Sequence, residues 1–277
     1  MHPIQDTALE AQSHSWKQQI EQHFEVINTI DLRDASLLQT VTTLIANVNG
    51  LLVEVEHVER TESKQEVERY VYSIRGLCFT LSHAFAALQN AGQTLGAIAP
   101  LAPLKRGVSL RQLEEPFFDC WNYLGGSRYY ATAPHLVYGG SSHTPESATT
   151  LFERIRVCKQ DISQSLERIE SLDTRTRVKD LGHDAASAVA SMSNLRAEVS
   201  HIERSESQQE IARYVSMDAL QPLLYHTVLE LQIADFLLRE LSCSVIQEGS
   251  TVEALRAVWT CHRNCRNHLM EAVRAFK

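Results

Sequence analysis

Apolar residues recur along this chain at steps of three and four positions, which is the period of an α-helix. Two such sets are Trp16, Ile20, Phe24 and Ile27, and Val41, Ile45, Val48, Leu52 and Val55. The two-residue alternation of a half-buried strand is not found, and Gly and Pro concentrate in residues 91–107, 125–146 and 248–250 rather than at the spacing of hairpins. The pattern therefore predicts an all-α protein.

Four helices are predicted in each half of the chain. A Thr-Pro pair before residue 148 and the Gly-Ser-Thr before Val252 supply start signals for the fifth and the last helix. Helices of this length joined by short loops pack as antiparallel bundles. The predicted helices cover about residues 7–30, 35–74, 75–97 and 108–124, and then about 147–172, 178–216, 219–246 and 251–276.

One stretch of fifteen residues occurs twice. The sequence HVERTESKQEVERYV at residues 57–71 returns as HIERSESQQEIARYV at residues 201–215, with ten of the fifteen positions identical. The match extends upstream, where residues 16–33 align with residues 158–175. A repeat that covers this much of the chain predicts a tandem duplication. Residues 57–71 and 201–215 are called the repeated block below.

The duplicated unit is predicted to span about half of the chain. A weaker match aligns residues 107–120 with residues 249–261. The Gly-, Pro- and Ser-rich residues 125–146 are the predicted linker. The predicted fold is therefore an internally duplicated helical bundle, with one unit of about four helices in residues 1–124 and its duplicate in residues 147–277.

Composition restricts the classes of partner. The chain has 277 residues, of which 44% are hydrophobic, so it can bury a substantial core. Its net charge is −8 and no run of like charges occurs, so the positive surface typical of a nucleic-acid-binding or anionic-membrane-binding protein is not expected. The first residues lack the basic and apolar regions from which a signal peptide would be expected, and no apolar run of about 18 residues predicts a membrane span.

The six cysteines are spread over a long chain rather than concentrated in a small domain. This distribution favours free thiols in a reducing compartment over a disulfide framework. A soluble, cytoplasmic protein is expected.

The repeated block places acids where the core face of its helix should continue. At about 100° per residue, the apolar stripe through Val48, Leu51 and Val55 leads into glutamates. A polar cleft between helices that binds a cation or a basic ligand is one interpretation, and i,i+3 ion pairs along a solvated helix surface are the other. The predicted binding residues are Glu59, Glu62, Glu66, Arg69 and Tyr70, with Glu203, Glu206, Glu210, Arg213 and Tyr214 in the second copy.

A second candidate is a metal site. Each half contains a Glu, followed about 30 residues later by Glu-x-x-His, and this order resembles the ligand set of ferritin-like di-iron carboxylate proteins. The resemblance implies two iron or manganese ions and oxidase or oxygenase chemistry. The helical phase opposes it, because His57 lies nearly opposite the apolar stripe. The candidate ligands are Glu25, Glu54, His57, Glu167, Glu198 and His201.

A third candidate lies in the last helix, where CHRNCRNH occupies residues 261–268. Arg263 and His268 resemble the R-[NDH]-x-x-x-H motif of HEPN-type ribonucleases. The resemblance implies metal-independent RNA cleavage, with Arg263 stabilising the phosphate and His268 transferring a proton, usually in a dimer. The alternative is a surface arginine and a half-buried histidine, and Cys261 and Cys265 are expected to face the core.

Binding is the function predicted first, through a polar cluster between helices and without a cofactor. The expected partner is a protein or a small-molecule ligand, and no membrane partner is expected. Nucleic acid and a homodimer belong to the ribonuclease hypothesis, and two metal ions belong to the di-metal hypothesis.

Overall fold

The computed structural model of this protein describes residues 3–132, 147–172, 178–243 and 248–277. These residues are almost entirely helical, and no strand is found among them. The pairing of Val215 with Phe276 is an isolated bridge. The predicted all-α class is confirmed.

Both halves of the chain combine long helices with one-turn helices. The first half contains α1 (Pro3–Asn28), α2 (Leu37–Thr61), α3 (Lys64–Val67), α4 (Ile74–Ile98), α5 (Pro103–Ser109), a 3-10 turn (Leu110–Leu113) and α6 (Glu114–Tyr130). The second half contains α7 (Ser147–Leu172), α8 (Val178–Ser205), α9 (Gln208–Ile211), α10 (Met217–Cys243) and α11 (Glu248–Arg274).

Contacts divide the chain into two compact units. Unit 1 comprises Met1–Ile30, Ala35–Ala97 and Glu115–Gly140, and unit 2 comprises Asp31–Asp34, Ile98–Glu114 and Ser141–Lys277. This division differs from the predicted one, because residues 31–34 and 98–114 pack with the second half of the chain. The predicted linker at residues 125–146 is described only in part, since residues 133–146 lie outside the described ranges.

The core of unit 1 is built from the apolar stripes of its four long helices. Each stripe follows the helical period found in the sequence, and its members are fully buried or nearly so. They include Trp16, Ile20 and Ile27 on α1, Val41, Val48 and Val55 on α2, Leu77, Leu81 and Leu88 on α4, and Phe117 and Leu124 on α6.

Unit 2 is organised around α10, which is buried on most of its circumference. The residues from Thr227 to Asp235 are all buried, so this helix is covered on every side. Neighbouring helices α8 and α11 supply much of that cover, and α5 adds to it. Helix α5 begins at Pro103 in a Gly- and Pro-rich region for which no helix was predicted.

The two longest predicted helices are interrupted. Residues 35–74 divide into α2, α3 and the start of α4, and residues 178–216 divide into α8 and α9. The interruption falls at Ser63 in the first case and at Ser207 in the second, where the backbone is extended. Helix α6 shows the opposite difference, because it continues through Gly125 into the predicted linker.

Helix α2 is long and apolar enough to cross a bilayer by length and composition alone. Its mean hydropathy reaches 1.2 over 18 residues, and no other described helix meets this criterion. A core helix of a water-soluble domain meets it as well. In unit 1, Val41, Val48 and Val55 of α2 are fully buried against the other helices.

Candidate functional site

The repeated block folds into the same turn in both units. Ser63 is the N-cap of α3, and its hydroxyl accepts a hydrogen bond from the Glu66 backbone N–H at 3.2 Å. Ser207 is the N-cap of α9 and accepts from the Glu210 N–H at the same distance. An N-cap hydroxyl that satisfies a free backbone N–H fixes where a helix begins. The turn therefore explains why a serine and a glutamate occupy these positions in both copies.

The residue that follows each copy pairs with the backbone at the C-terminal end of the last helix in its unit. In unit 1 the Tyr72 N–H donates to the Tyr130 carbonyl at 2.9 Å. In unit 2 the Ser216 N–H donates to the Ala275 carbonyl at 2.9 Å. Tyr72 and Ser216 are 144 positions apart, which is the offset of the repeated block itself.

Glu59 and Glu203 connect the helix before the turn with the helix after it. The Glu59 carboxylate lies 3.6 Å from Arg75 Nε at the start of α4. The Glu203 carboxylate accepts a hydrogen bond from Gln221 Nε2 of α10 at 3.2 Å. These aligned acids thus hold equivalent places between helices, with different partners.

The glutamates one helical turn after Glu59 and Glu203 differ more between the two units in their burial and partners. Glu62 is exposed at the C-terminal end of α2. Glu206 is mostly buried and lies 3.4 Å from Arg154, whose guanidinium also contacts Glu198 at 2.9 Å. Arg154, Glu198 and Glu206 form a polar cluster between α7 and α8, called the Arg154 cluster below.

The predicted arginines and tyrosines lie at the edge of each turn. Arg69 and Arg213 are exposed, and Arg213 pairs with Glu210 at 3.1 Å. Tyr70 and Tyr214 are half-buried, and the Tyr214 ring lies 5.6 Å from the ring of Phe152. In the second copy, the i,i+3 pairing expected for a helix surface is therefore present.

A groove lies between α1 and α2 in unit 1. Its volume is about 410 Å³, and it is lined by uncharged residues that include Gln22, His23, Val26, Thr40, Thr43 and Asn47. His23 is 6% exposed, and its Nε2 atom has no hydrogen-bond partner among the described residues. Burial lowers the pKa of His23, so its ring is neutral at neutral pH.

A second groove lies between α7 and α8 in unit 2. Its volume is about 390 Å³, and its lining includes Asp161, Gln164, Ser165, Arg168, Ser191 and Glu198. Arg168 Nη1 reaches the Ser191 hydroxyl at 3.5 Å, so this side chain spans the groove. Through Glu198 the groove borders the Arg154 cluster.

The candidate metal ligands of unit 1 do not form a site. Glu25 is half-buried on α1, while Glu54 and His57 are exposed on α2. The Glu54 carboxylate accepts a hydrogen bond from Trp16 Nε1 at 3.4 Å.

In unit 2, Glu167 and His201 are exposed and Glu198 belongs to the Arg154 cluster. Within the described part of the chain, no group of three or more His, Cys, Asp or Glu side chains is placed to hold a metal ion. The di-metal hypothesis therefore has no geometric support.

Arg263 and His268 lie on different sides of α11, because five residues turn a helix by about 140°. Arg263 is exposed and lines a shallow groove with Trp259. His268 is half-buried, and its ring stacks on His226 of α10 at 5.5 Å. Burial, and then the neighbouring His226, lower the pKa of His268.

Buried charges on α10 are the polar feature that the sequence did not predict. Glu230 is fully buried and accepts hydrogen bonds from Asn264 Nδ2 at 2.5 Å and Arg111 Nη2 at 3.3 Å. Asp235 is also fully buried, and its carboxylate contacts Arg33 at 2.5 Å. Both acids lie in a largely apolar stretch of the sequence, and this was the signal from which buried charges could have been predicted.

These contacts attach two segments that are distant in sequence to helix α10 of unit 2. Arg33 comes from the loop after α1, and Arg111 comes from the 3-10 turn after α5. A third contact joins Glu114 to His226 Nδ1 at 2.7 Å. These three contacts therefore hold residues 31–34 and 98–114 on α10.

Comparison of the chain with protein-family models, with curated proteins and with solved structures found no match.

Proposed function

We propose that this chain is a helical binding protein formed by tandem duplication, and that each unit binds a ligand in the groove between its first two long helices. The observation that carries this proposal is that the two grooves are lined by residues at aligned positions of the repeat. Gln22 and Gln164, and His23 and Ser165, are related by the 142-residue offset of the upstream repeat. The same offset relates Val26 to Arg168.

The shared turn supports the duplication. Both copies of the repeated block begin a one-turn helix with a capping serine, and the residue after each copy pairs with the C-terminal end of the last helix of its unit. Equivalent local structure at equivalent offsets is the expected result when one gene segment has been copied. The turn then fixes how the second and third long helices of each unit meet.

The chemistry of the grooves supports two different ligands. Both volumes fall within the range of about 300–1,000 Å³ that is common for small-molecule sites. The unit 1 groove offers amide and hydroxyl groups and the buried His23 ring, without a charged side chain in its lining. The unit 2 groove offers Asp161 and Arg168. A neutral polar compound suits the first groove, and a charged compound suits the second.

The proposal assigns the repeated block a supporting part. Glu206 holds Arg154, and Arg154 in turn holds Glu198 at the rim of the unit 2 groove. Because charge-assisted hydrogen bonds fix side-chain geometry, this cluster orients a charged group at the rim. Glu59 and Glu203 stabilise the junction between helices.

The experiment fills each groove with an indole. Thr43→Trp fills the unit 1 groove, and Thr42→Trp is its control, because Thr42 is exposed on the same helix outside the lining. Ser191→Trp fills the unit 2 groove, and Ser193→Trp is the matched control.

Ligand-observed NMR with a library of neutral, anionic and cationic small molecules is the measurement. Thr43→Trp should lose the neutral compounds that bind the wild-type protein, and Ser191→Trp should lose the charged ones. Both controls should keep both sets. The proposal is wrong if no compound binds the wild-type protein, or if the filled variants keep every compound at an unchanged melting temperature.

A further inference from the structure

Helix α11 carries an exposed stripe that the binding grooves do not use. Its positions alternate steps of four and three residues, so they fall on one side of the helix. The stripe consists of Val252, Arg256, Trp259, Arg263, Arg266 and Met270, and it is called the α11 stripe below. It extends over about 27 Å at 1.5 Å per residue.

The apolar members of the stripe are exposed although they are large. Val252 is 50% exposed, Trp259 is 41% exposed and Met270 is 37% exposed. Single exposed apolar residues are ordinary on a protein surface, but these three are aligned on one helix. Tryptophan, methionine and arginine are also residue types that interfaces favour.

The charged members of the stripe are all arginines. Among the described residues, no ion pair is found for Arg256 or Arg263. Arg266 contacts Glu170 at 2.9 Å, and both side chains are about half exposed. These guanidinium groups form a positively charged patch on a protein whose net charge is −8. It attracts an acidic partner.

We propose that the α11 stripe is a docking surface for an acidic amphipathic helix of a partner protein. Alternating three- and four-residue steps are the spacing at which two helices pack side by side. Apolar residues of the partner cover Trp259 and the two apolar ends of the stripe. Glutamate or aspartate residues beside them pair with Arg256 and Arg263.

The positions of the apolar residues favour a protein partner over a nucleic acid. Val252 and Met270 lie near the two ends of the stripe, with the arginines between them. Phosphates would use the arginines, and a base would use the Trp259 ring, but neither would cover Val252 or Met270. A helix with apolar residues along its length covers all three.

Two synthetic peptides and one RNA are the probes. The first peptide has about 20 residues, which is the length that covers the stripe. It carries leucine at alternating three- and four-residue steps and glutamate at the flanking positions. The second replaces each glutamate with lysine, and the RNA is a single strand of similar length. Binding is measured by fluorescence anisotropy at two salt concentrations.

The glutamate peptide should bind the wild-type protein at least about tenfold more tightly than the lysine peptide, because a tenfold ratio corresponds to the loss of one good interfacial ion pair. Arg256→Glu combined with Arg263→Glu should reverse this preference. Trp259→Ala should weaken binding by tenfold or more. Arg156→Glu is the matched control, because Arg156 is an exposed arginine on α7.

Three results would overturn the proposal. They are absence of binding by both peptides, an unchanged preference in the charge-reversed variant, and tighter binding of the RNA than of the glutamate peptide at the same salt concentration.

Melting temperatures of all variants must match the wild-type protein, and Trp259→Phe replaces the alanine variant if that one unfolds. The groove variants Thr43→Trp and Ser191→Trp should bind the peptide normally, which separates this proposal from the proposed function.

Discussion

Helices α4 and α10 follow the same turn in their units, yet their surroundings differ. On α4, Ala86 and Asn90 are exposed. On α10 the residues 144 positions later, Glu230 and Ala234, are fully buried. The difference arises because residues 31–34 and 98–114 pack on α10 within unit 2. In unit 2, the helix after the turn is thus an attachment site for distant parts of the chain.

Buried acids are how α10 holds those segments. Asp235 lies where α4 has Ala91, and its carboxylate contacts Arg33 from the loop after α1. Taking a charge out of water costs free energy that close partners must offset, and Asp235 has two of them, Arg33 and, at 3.0 Å, Arg239. The comparison therefore shows that a small change in side chains, from alanine to acid, accompanies a large change in what a helix contacts.

The largest effect is expected for Asp235→Ala. This change removes the α10 partner of the mostly buried Arg33, which keeps its pair with Asp31 at 2.6 Å. The cost should therefore lie at the lower end of the about 3–5 kcal/mol that breaking a buried pair costs. Urea unfolding followed by circular dichroism measures the loss. Asp218→Ala, at the exposed start of the same helix, should cost less than about 1 kcal/mol. Equal costs for the two variants would contradict the anchoring role of Asp235.

A smaller effect is expected where α5 approaches α10. A Cβ atom on Gly107 would lie 2.5 Å from Leu237 Cδ2 and 2.9 Å from Phe236 Cδ1. Gly107→Ala should therefore destabilise the protein by about 1–3 kcal/mol through overpacking.

Gly96→Ala on α4 is the opposite case, because nothing lies within 4 Å of its added Cβ atom. Here the better helix propensity of alanine should raise the free energy of unfolding by up to about 1 kcal/mol. Thermal unfolding of both variants measures whether each change stabilises or destabilises the protein. Stabilisation by Gly107→Ala would show that α5 does not pack closely on α10.

The helical class could be predicted from sequence because it depends on local periodicity. Trp16, Ile20 and Ile27 are spaced by the helix itself and are buried as that spacing requires. The contact of Arg33 with Asp235 could not be predicted in this way, since 202 residues separate its members and no local pattern links them. A buried acid in an apolar run indicates that a partner exists, without indicating where it lies.

The interrupted helices were predictable but were missed. The Ser-x-x-Glu spacing of Ser63 with Glu66 is a capping signal that stands in the sequence. The helical period continues across it, and periodicity alone therefore predicts one long helix. The grooves of the candidate site are less accessible from sequence, because the distance between two helices depends on all the side chains that separate them.

The turn itself should have the same energetic weight in both units. Ser63→Ala and Ser207→Ala each remove the hydroxyl that caps a one-turn helix, and each should cost about 1 kcal/mol. Urea unfolding of the two single variants measures these costs, and exposed Ser193→Ala on α8 serves as the control, with an expected change within about 0.5 kcal/mol. Clearly unequal costs would mean that the repeated block no longer does the same structural job in the two units.

The smallest effect expected is a difference in pH dependence between the aligned positions His23 and Ser165. Burial lowers the pKa of folded His23, whereas the unfolded chain takes up this proton near a pKa of about 6.5. As pH falls below that value the unfolded state binds more protons than the folded state, so the free energy of unfolding falls. The loss ends once the pH is below the folded pKa. His23→Gln should therefore make the free energy of unfolding less sensitive to pH below about 6.5, and only unit 1 should contribute this change. Urea unfolding at a series of pH values measures it, with His57→Gln on the exposed face of α2 as the control. If His23→Gln leaves the pH dependence unchanged, the groove admits enough water to solvate the imidazolium. The uncharged character proposed for the unit 1 groove would then be wrong.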